Sequence, residues 1–125
     1  MIRVLLVDDE PDVVESLVMA LEGFAEVITA KNGQDALEVI ARETPAKIDA
    51  IVLDLMMPIM SGWEFLRIRQ TDPVVQRIPV VAISASRAVA DSVATLNVQE
   101  ALAKPIDLEH LLSILQRYCV RATTP

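Results

Sequence analysis

VLLVDDEP, residues 4–11, joins a continuous apolar run to three consecutive acids and a proline. An apolar run without alternation marks a parallel strand covered on both faces. Proline suits the first turn of a helix, where its missing N–H costs nothing. The octet therefore predicts a strand ending on Asp8, Asp9 and Glu10, with a helix starting near Pro11. Val14, Leu17, Val18 and Leu21 form the inner side of that helix and Gly23 its stop.

The same pattern repeats along the chain. Strands are expected at Arg3–Val7, Glu26–Thr29, Ala50–Leu53, Val80–Ile83 and Glu100–Ala103. A second helix follows Asn32, with Ala36, Leu37, Ile40 and Ala41 inward. A third opens on Ser61 and Glu64 at capping-box spacing. A fifth follows Asp107 and carries Leu108, Leu111, Leu112 and Leu115. The fourth, Arg87–Leu96, is rich in Val, Ser, Thr and Asp, modest helix formers, and is expected to be weakly formed. Residues 1–120 read as one domain, and 121–125 as a frayed tail or the start of a linker. Alternation of strand and helix gives an open α/β sheet with right-handed crossovers and helices on both faces. Such sheets bind ligands beyond the carboxyl ends of their strands, where strand order reverses.

Composition narrows the function classes. A chain of 125 residues, 53% apolar and 23% charged, is a single globular domain able to bury a core. Its net charge of −7 argues against direct nucleic-acid binding by this segment. Cys119 is the only cysteine, so no internal disulfide can form and a reducing compartment is expected; its thiol reads as packing. No apolar run approaches the ~18 residues of a membrane span. The opening lacks a signal-peptide pattern, so Met1 is expected to be a true N-terminus and the protein cytoplasmic. His110, off the Leu stripe, is expected to be exposed, and Trp63 half-buried. Gly33 and Gly62 read as structural.

Chemistry gathers where strands end. The first runs into Asp8-Asp9-Glu10, the third into Asp54, the fourth into Ser84 and the fifth into Lys104, whereas the second ends at Ala30-Lys31. Crowded carboxylates repel, so one must protonate or a cation must bind. An oxygen-only set with few protein ligands suits Mg²⁺, which keeps several waters and favours phosphate. With Lys104 as a fixed positive charge and Ser84 as a hydroxyl donor, Asp54 is equipped as a nucleophile toward a phosphorylated donor.

VLLVDDEP, VLDLMMPIMSG (52–62), PVVAISAS (79–86) and ALAKPI (101–106), in this order, resemble the response-regulator receiver domain of two-component signalling, chemotaxis regulators included, over essentially the whole chain. The resemblance implies a three-layer αβα, flavodoxin-like doubly wound fold with a five-stranded parallel sheet in the order 2-1-3-4-5. It implies Asp54 as phosphoacceptor, and Mg²⁺ held by Asp9, Asp54 and the Met56 main-chain carbonyl. Asp8 would act through a metal-bound water and help hold Lys104. Ser84 and Lys104 would contact phosphoryl oxygens, with Lys104-Pro105 as a cis peptide. The implied partners are a sensor histidine kinase or histidine phosphotransfer protein, and a downstream protein or output domain meeting the fourth helix, fifth strand and fifth helix. Such a domain is not a conventional enzyme, although it assists its own phosphorylation and dephosphorylation.

The sequence also departs from the family pattern. Ala101 stands where an aromatic residue is common, three positions before the Lys, and Asn97 where Gly is common. The segment from Ser84 to Lys104 is slightly short. Output is therefore expected through ordering or shifting of Arg87–Leu96. Apolar Met56 cannot orient an attacking water, which predicts a long-lived phosphoryl group; Ser86 is a second variable position. The alternative is a receiver-like interaction domain working without phosphorylation, which the intact Asp8, Asp9, Asp54 and Lys104 set opposes. A metal-dependent phosphohydrolase would need a second Asp two residues after the nucleophile, where Met56 stands. Neither a G-x-G-x-x-G nor a P-loop pattern occurs.

Overall fold

The computed structural model describes residues 2–43, 48–57 and 59–123; Met1 and Thr124–Pro125, on which expectations about the termini rested, lie outside them. The five apolar runs form strands β1 (Ile2–Val7), β2 (Ala25–Ala30), β3 (Ala50–Asp54), β4 (Val80–Ser84) and β5 (Glu100–Ala103). All pairings are parallel, in the order β2-β1-β3-β4-β5. Between and after the strands lie α1 (Pro11–Leu21), α2 (Gly33–Glu43), α3 (Gly62–Thr71), α4 (Arg87–Ser92) and α5 (Leu108–Thr123). This is the three-layer, flavodoxin-like doubly wound sheet that was expected.

Side chains alternate across a strand, so runs that are apolar throughout build two cores at once. Leu5, Val7, Ile51, Leu53 and Ala82 face Ala36, Val39 and Ile40 of α2 and Phe65 and Leu66 of α3. Val4, Leu6, Val52, Val81 and Ile83 face Leu17 and Leu21 of α1 and Leu111, Ile114 and Leu115 of α5. Each such fully buried aliphatic side chain contributes about 1.5–3 kcal/mol. Cys119 is buried in the second core, and its thiol donates to the Asp49 carbonyl at 3.7 Å. Burial pushes that thiol up to about 11, which makes it inert at neutral pH.

Helix ends follow their capping chemistry. Asn32 Oδ1 accepts the Asp35 N–H at 2.8 Å, and Asp107 Oδ1 those of Glu109 and His110 at 3.1 and 3.2 Å. Ser61 and Glu64 form the reciprocal capping box. Gly23 sits at φ 83, in the left-handed region a helix stop favours. Trp63 is half-buried against the first core and His110 is exposed.

Two details differ from expectation. Ala41 is exposed and Val39 takes its place inward, because Ala36, Val39 and Ile40 hold the three-four spacing of one helix face. Val18 and Leu108 lie at the margins of their stripes and are exposed.

The weakly helical fourth segment divides. After Ser92 it tightens into a 3₁₀ turn, Val93–Leu96, which Asn97 closes at φ 60. Ser86 Oγ caps α4 by accepting the Val89 N–H at 3.2 Å, and Ser92 Oγ bonds back to the Val89 carbonyl at 2.6 Å. Arg87 reaches from α4 to the Ala101 carbonyl of β5 at 3.1 Å.

Gly62 lets α3 start directly under β3. A Cβ there would lie 2.6 Å from the Asp54 carbonyl oxygen and 2.7 Å from Leu55 Cα, both backbone. Gly62→Ala is therefore expected to destabilise the fold by about 2 kcal/mol or more, read from urea unfolding; an unchanged midpoint contradicts this close approach.

Candidate functional site

Parallel register decides which side chains meet. Val7 of β1 lies beside Leu53 of β3, Asp54 beside Ile83 of β4, and Ser84 beside Ala103 of β5. Strands that stop in step deliver Asp8, Asp9, Glu10, Asp54, Ser84 and Lys104 to one rim. β2 contributes only its terminal carbonyl, at Ala30, which accepts the Asp8 N–H at 3.1 Å.

Asp8, Asp54 and Ser84 are 4%, 3% and 1% exposed, while Asp9 and Glu10 face solvent. One carboxylate oxygen from each of Asp8, Asp9, Glu10 and Asp54 lies within 4.8 Å of the others. Lys104 Nζ lies 3.2 Å from Glu10 Oε1 and 4.0 Å from Asp54 Oδ2. Asp54 Oδ1 accepts the Met56 N–H at 3.2 Å, and Asp8 Oδ1 the Glu10 N–H at 2.9 Å. Ser84 Oγ accepts the Ser86 N–H at 3.3 Å. The Lys104–Pro105 bond is cis, and the Lys104 N–H donates to the Ser84 carbonyl at 2.7 Å, fixing the end of β5 against that of β4.

These groups are electrostatically poised. Burial pushes Asp54 up to about 6, and the fields of Asp8 and Asp9 add to the rise against the Met56 N–H and Lys104. Burial also raises Asp8. For Lys104, burial opposes the charge, but Asp54, the bond to Glu10 and the field of Asp8 outweigh it and raise its pKa. Carboxylates held this way gain from a cation. An all-oxygen donor set of this compactness fits a hard divalent ion such as Mg²⁺ better than a softer metal.

Every side chain singled out at a strand end thus reaches the same rim. Met56 differs: its N–H holds Asp54, while its side chain is 64% exposed. Glu10, not Asp8, is the second carboxylate in ion-pair contact with Lys104 among the described residues. Its signal in the sequence was only its place as the third acid of the run. Ile59, in the loop after Asp54, is exposed at φ 68, an unusual conformation for a β-branched residue; nothing in the sequence marked it.

The fold and the acid rim together define a receiver-type architecture. The family model for the response regulator receiver domain matches residues 4–116, and the chain belongs to that family. It is 39% identical over 129 residues to the response regulator MprA of Mycolicibacterium vanbaalenii, covering 99% of this chain and 52% of that protein. The chain therefore spans about half the length of that curated relative. Among solved structures, chemotaxis response regulator CheY4 of Vibrio cholerae superposes with TM-score 0.80 at 29% identity, covering 94% of this chain and 98% of that one. The phosphorylated cyanobacterial phytochrome response regulator RcpA gives TM-score 0.77 at 27% identity, covering 98% and 96%. Membership places the chain among the receiver domains of two-component signalling. No helix among the described residues is long and apolar enough to cross a membrane.

The raised Asp54 carboxyl fixes a stability prediction. Its pKa rises from the ordinary 3.8 to about 6 on folding. Above 6 the group is ionised in both states and the folded state carries the penalty; as pH falls through 6 toward 3.8, proton uptake by the folded state removes it. Asp54→Asn keeps an acceptor for the Met56 N–H without the charge. It is expected to stabilise the metal-free protein by about 2 kcal/mol at neutral pH, with the gain shrinking on acidification. Thermal melts across pH in a chelator read this; a gain independent of pH contradicts it.

Proposed function

We propose that this domain is a phosphorylation-dependent switch that accepts a phosphoryl group from a partner phosphohistidine onto Asp54, with Mg²⁺. The observation that carries this reading is the buried Asp54 carboxylate, set within 4.8 Å of three further carboxylates and 4.0 Å from Lys104 Nζ. In the transfer, an Asp54 carboxylate oxygen forms the new O–P bond. The P–N bond of the donor breaks with its electron pair returning to the imidazole, which leaves neutral when its other nitrogen carries the proton. Asp54 is held for attack by the Met56 N–H, and its burial keeps bulk water from the reacting oxygen. Lys104 supplies positive charge where phosphoryl oxygens would lie, and the Ser84 hydroxyl can donate to one of them on turning from the Ser86 N–H. Asp9, Asp54 and the Met56 carbonyl would hold Mg²⁺, with Asp8 acting through water; the ion neutralises charge on the carboxylates and the transferred group.

Residues 1–120 form the receiver unit in this reading, with 121–125 leading toward a linker, in a cytoplasmic protein. The donor is a sensor histidine kinase or histidine phosphotransfer protein. The output partner meets the α4–β5–α5 face, where the segment from Arg87 to Leu96 shifts between states.

Mg²⁺-dependent labelling by acetyl phosphate or a phosphorylated kinase tests the central claim. Label is expected on the wild type and absent from Asp54→Ala; label that survives the substitution, or never forms on the wild type, removes it. Because the Met56 side chain offers no polar atom able to orient a hydrolytic water well, Met56→Asn is expected to shorten the phosphoryl lifetime several-fold. An unchanged dephosphorylation rate contradicts that assignment.

A further inference from the structure

A polar cavity lies at the amino ends of β4 and β5, at the other end of these strands from Asp54. It has a volume of about 390 Å³ and is lined by Arg69, Gln70, Gln76, Asn97, Val98 and Gln99, with no carboxylate among them. Arg69 is the most buried of the six, at 2% exposure. Its guanidinium donates from Nε and Nη2 to the Ile78 carbonyl at 3.3 and 2.9 Å, and from Nη1 to the Asn97 carbonyl at 3.1 Å. A guanidinium carries five N–H groups, so one on each terminal nitrogen has no acceptor among the described residues. No carboxylate among the described residues forms an ion pair with Arg69, and burial lowers its pKa.

Gln99 adds to the donor set. Its Oε1 accepts the Val80 N–H at 2.7 Å. A backbone N–H can only donate, so the oxygen of this amide must face it, and the amide nitrogen remains as a donor. A buried cation without a counter-charge is costly, and carbonyl dipoles offset only part of that cost. A group bringing negative charge and paired acceptors fits what is left over.

We propose that this cavity binds a small oxyanion, a carboxylate or phosphate group, against Arg69 and the Gln99 amide. Its volume falls within the range of small-molecule sites. Because Asn97 closes the turn after α4, an occupied cavity would fix the base of that segment.

Titration of isotope-labelled protein with sodium malonate and, separately, inorganic phosphate, at ionic strength held constant with chloride, tests the site. Saturable shifts of the Val98 and Gln99 amides and of the Arg69 Nε–H signal are expected, and the anion that saturates first identifies the preferred group. Shifts that never saturate, or that fall elsewhere on the molecule, overturn the proposal. Gln99→Glu keeps the acceptor for the Val80 N–H while placing a carboxylate in the cavity. It is expected to weaken anion binding about tenfold or more and to leave the melting temperature equal or higher. Unchanged affinity in this variant overturns the proposal, and Gln70→Glu provides the same comparison should Gln99→Glu fail to fold.

Discussion

The repulsion between Asp8 and Asp54 is the constraint around which this molecule is arranged. Both carboxylates are nearly inaccessible, Asp54 as the last residue of β3 and Asp8 just past the end of β1, and those two strands are adjacent and held in parallel register. A loop could relieve such a conflict by moving. A central strand cannot, because β1 and β3 are clamped by aliphatic packing above and below. The two cores hold the acids together, and nearby positive charge offsets their repulsion. Lys104 supplies some of that charge from the end of β5, two strands away from β3. What remains unbalanced is a readiness for positive charge at one end of the sheet.

Much of this was legible in the residues themselves, for identifiable reasons. Unbroken apolar runs such as Val4–Val7 and Ala50–Leu53 can only be satisfied by cover on both faces, so they specify parallel central strands. The polar residue that ends each run then specifies the rim. Asp8, Asp54, Ser84 and Lys104 were readable because position within the sheet, and not residue type, carried the information. The break in the fourth helix was foreshadowed by its Ser- and Val-rich composition, but where it tightens depends on Ser92 bonding back and Asn97 turning left-handed.

Other features had no local signal. Arg69 sits on a helix, where arginine ordinarily reaches solvent; its burial depends on the carbonyls of Ile78 and Asn97, both distant from it in sequence. Pairing between Glu10 and Lys104 spans most of the chain and follows from how far each side chain reaches across the rim. Ile59 occupies a left-handed conformation that its residue type resists. Each of these is set by tertiary geometry, which composition and periodicity do not encode.

The tether from Arg87 to β5 ends on the Ala101 carbonyl, a main-chain atom. Every amino acid supplies that carbonyl. The fourth helix is therefore attached to its neighbouring strand without reading which side chain stands at 101. Exchanging the side chain at 101 leaves the acceptor of that attachment in place.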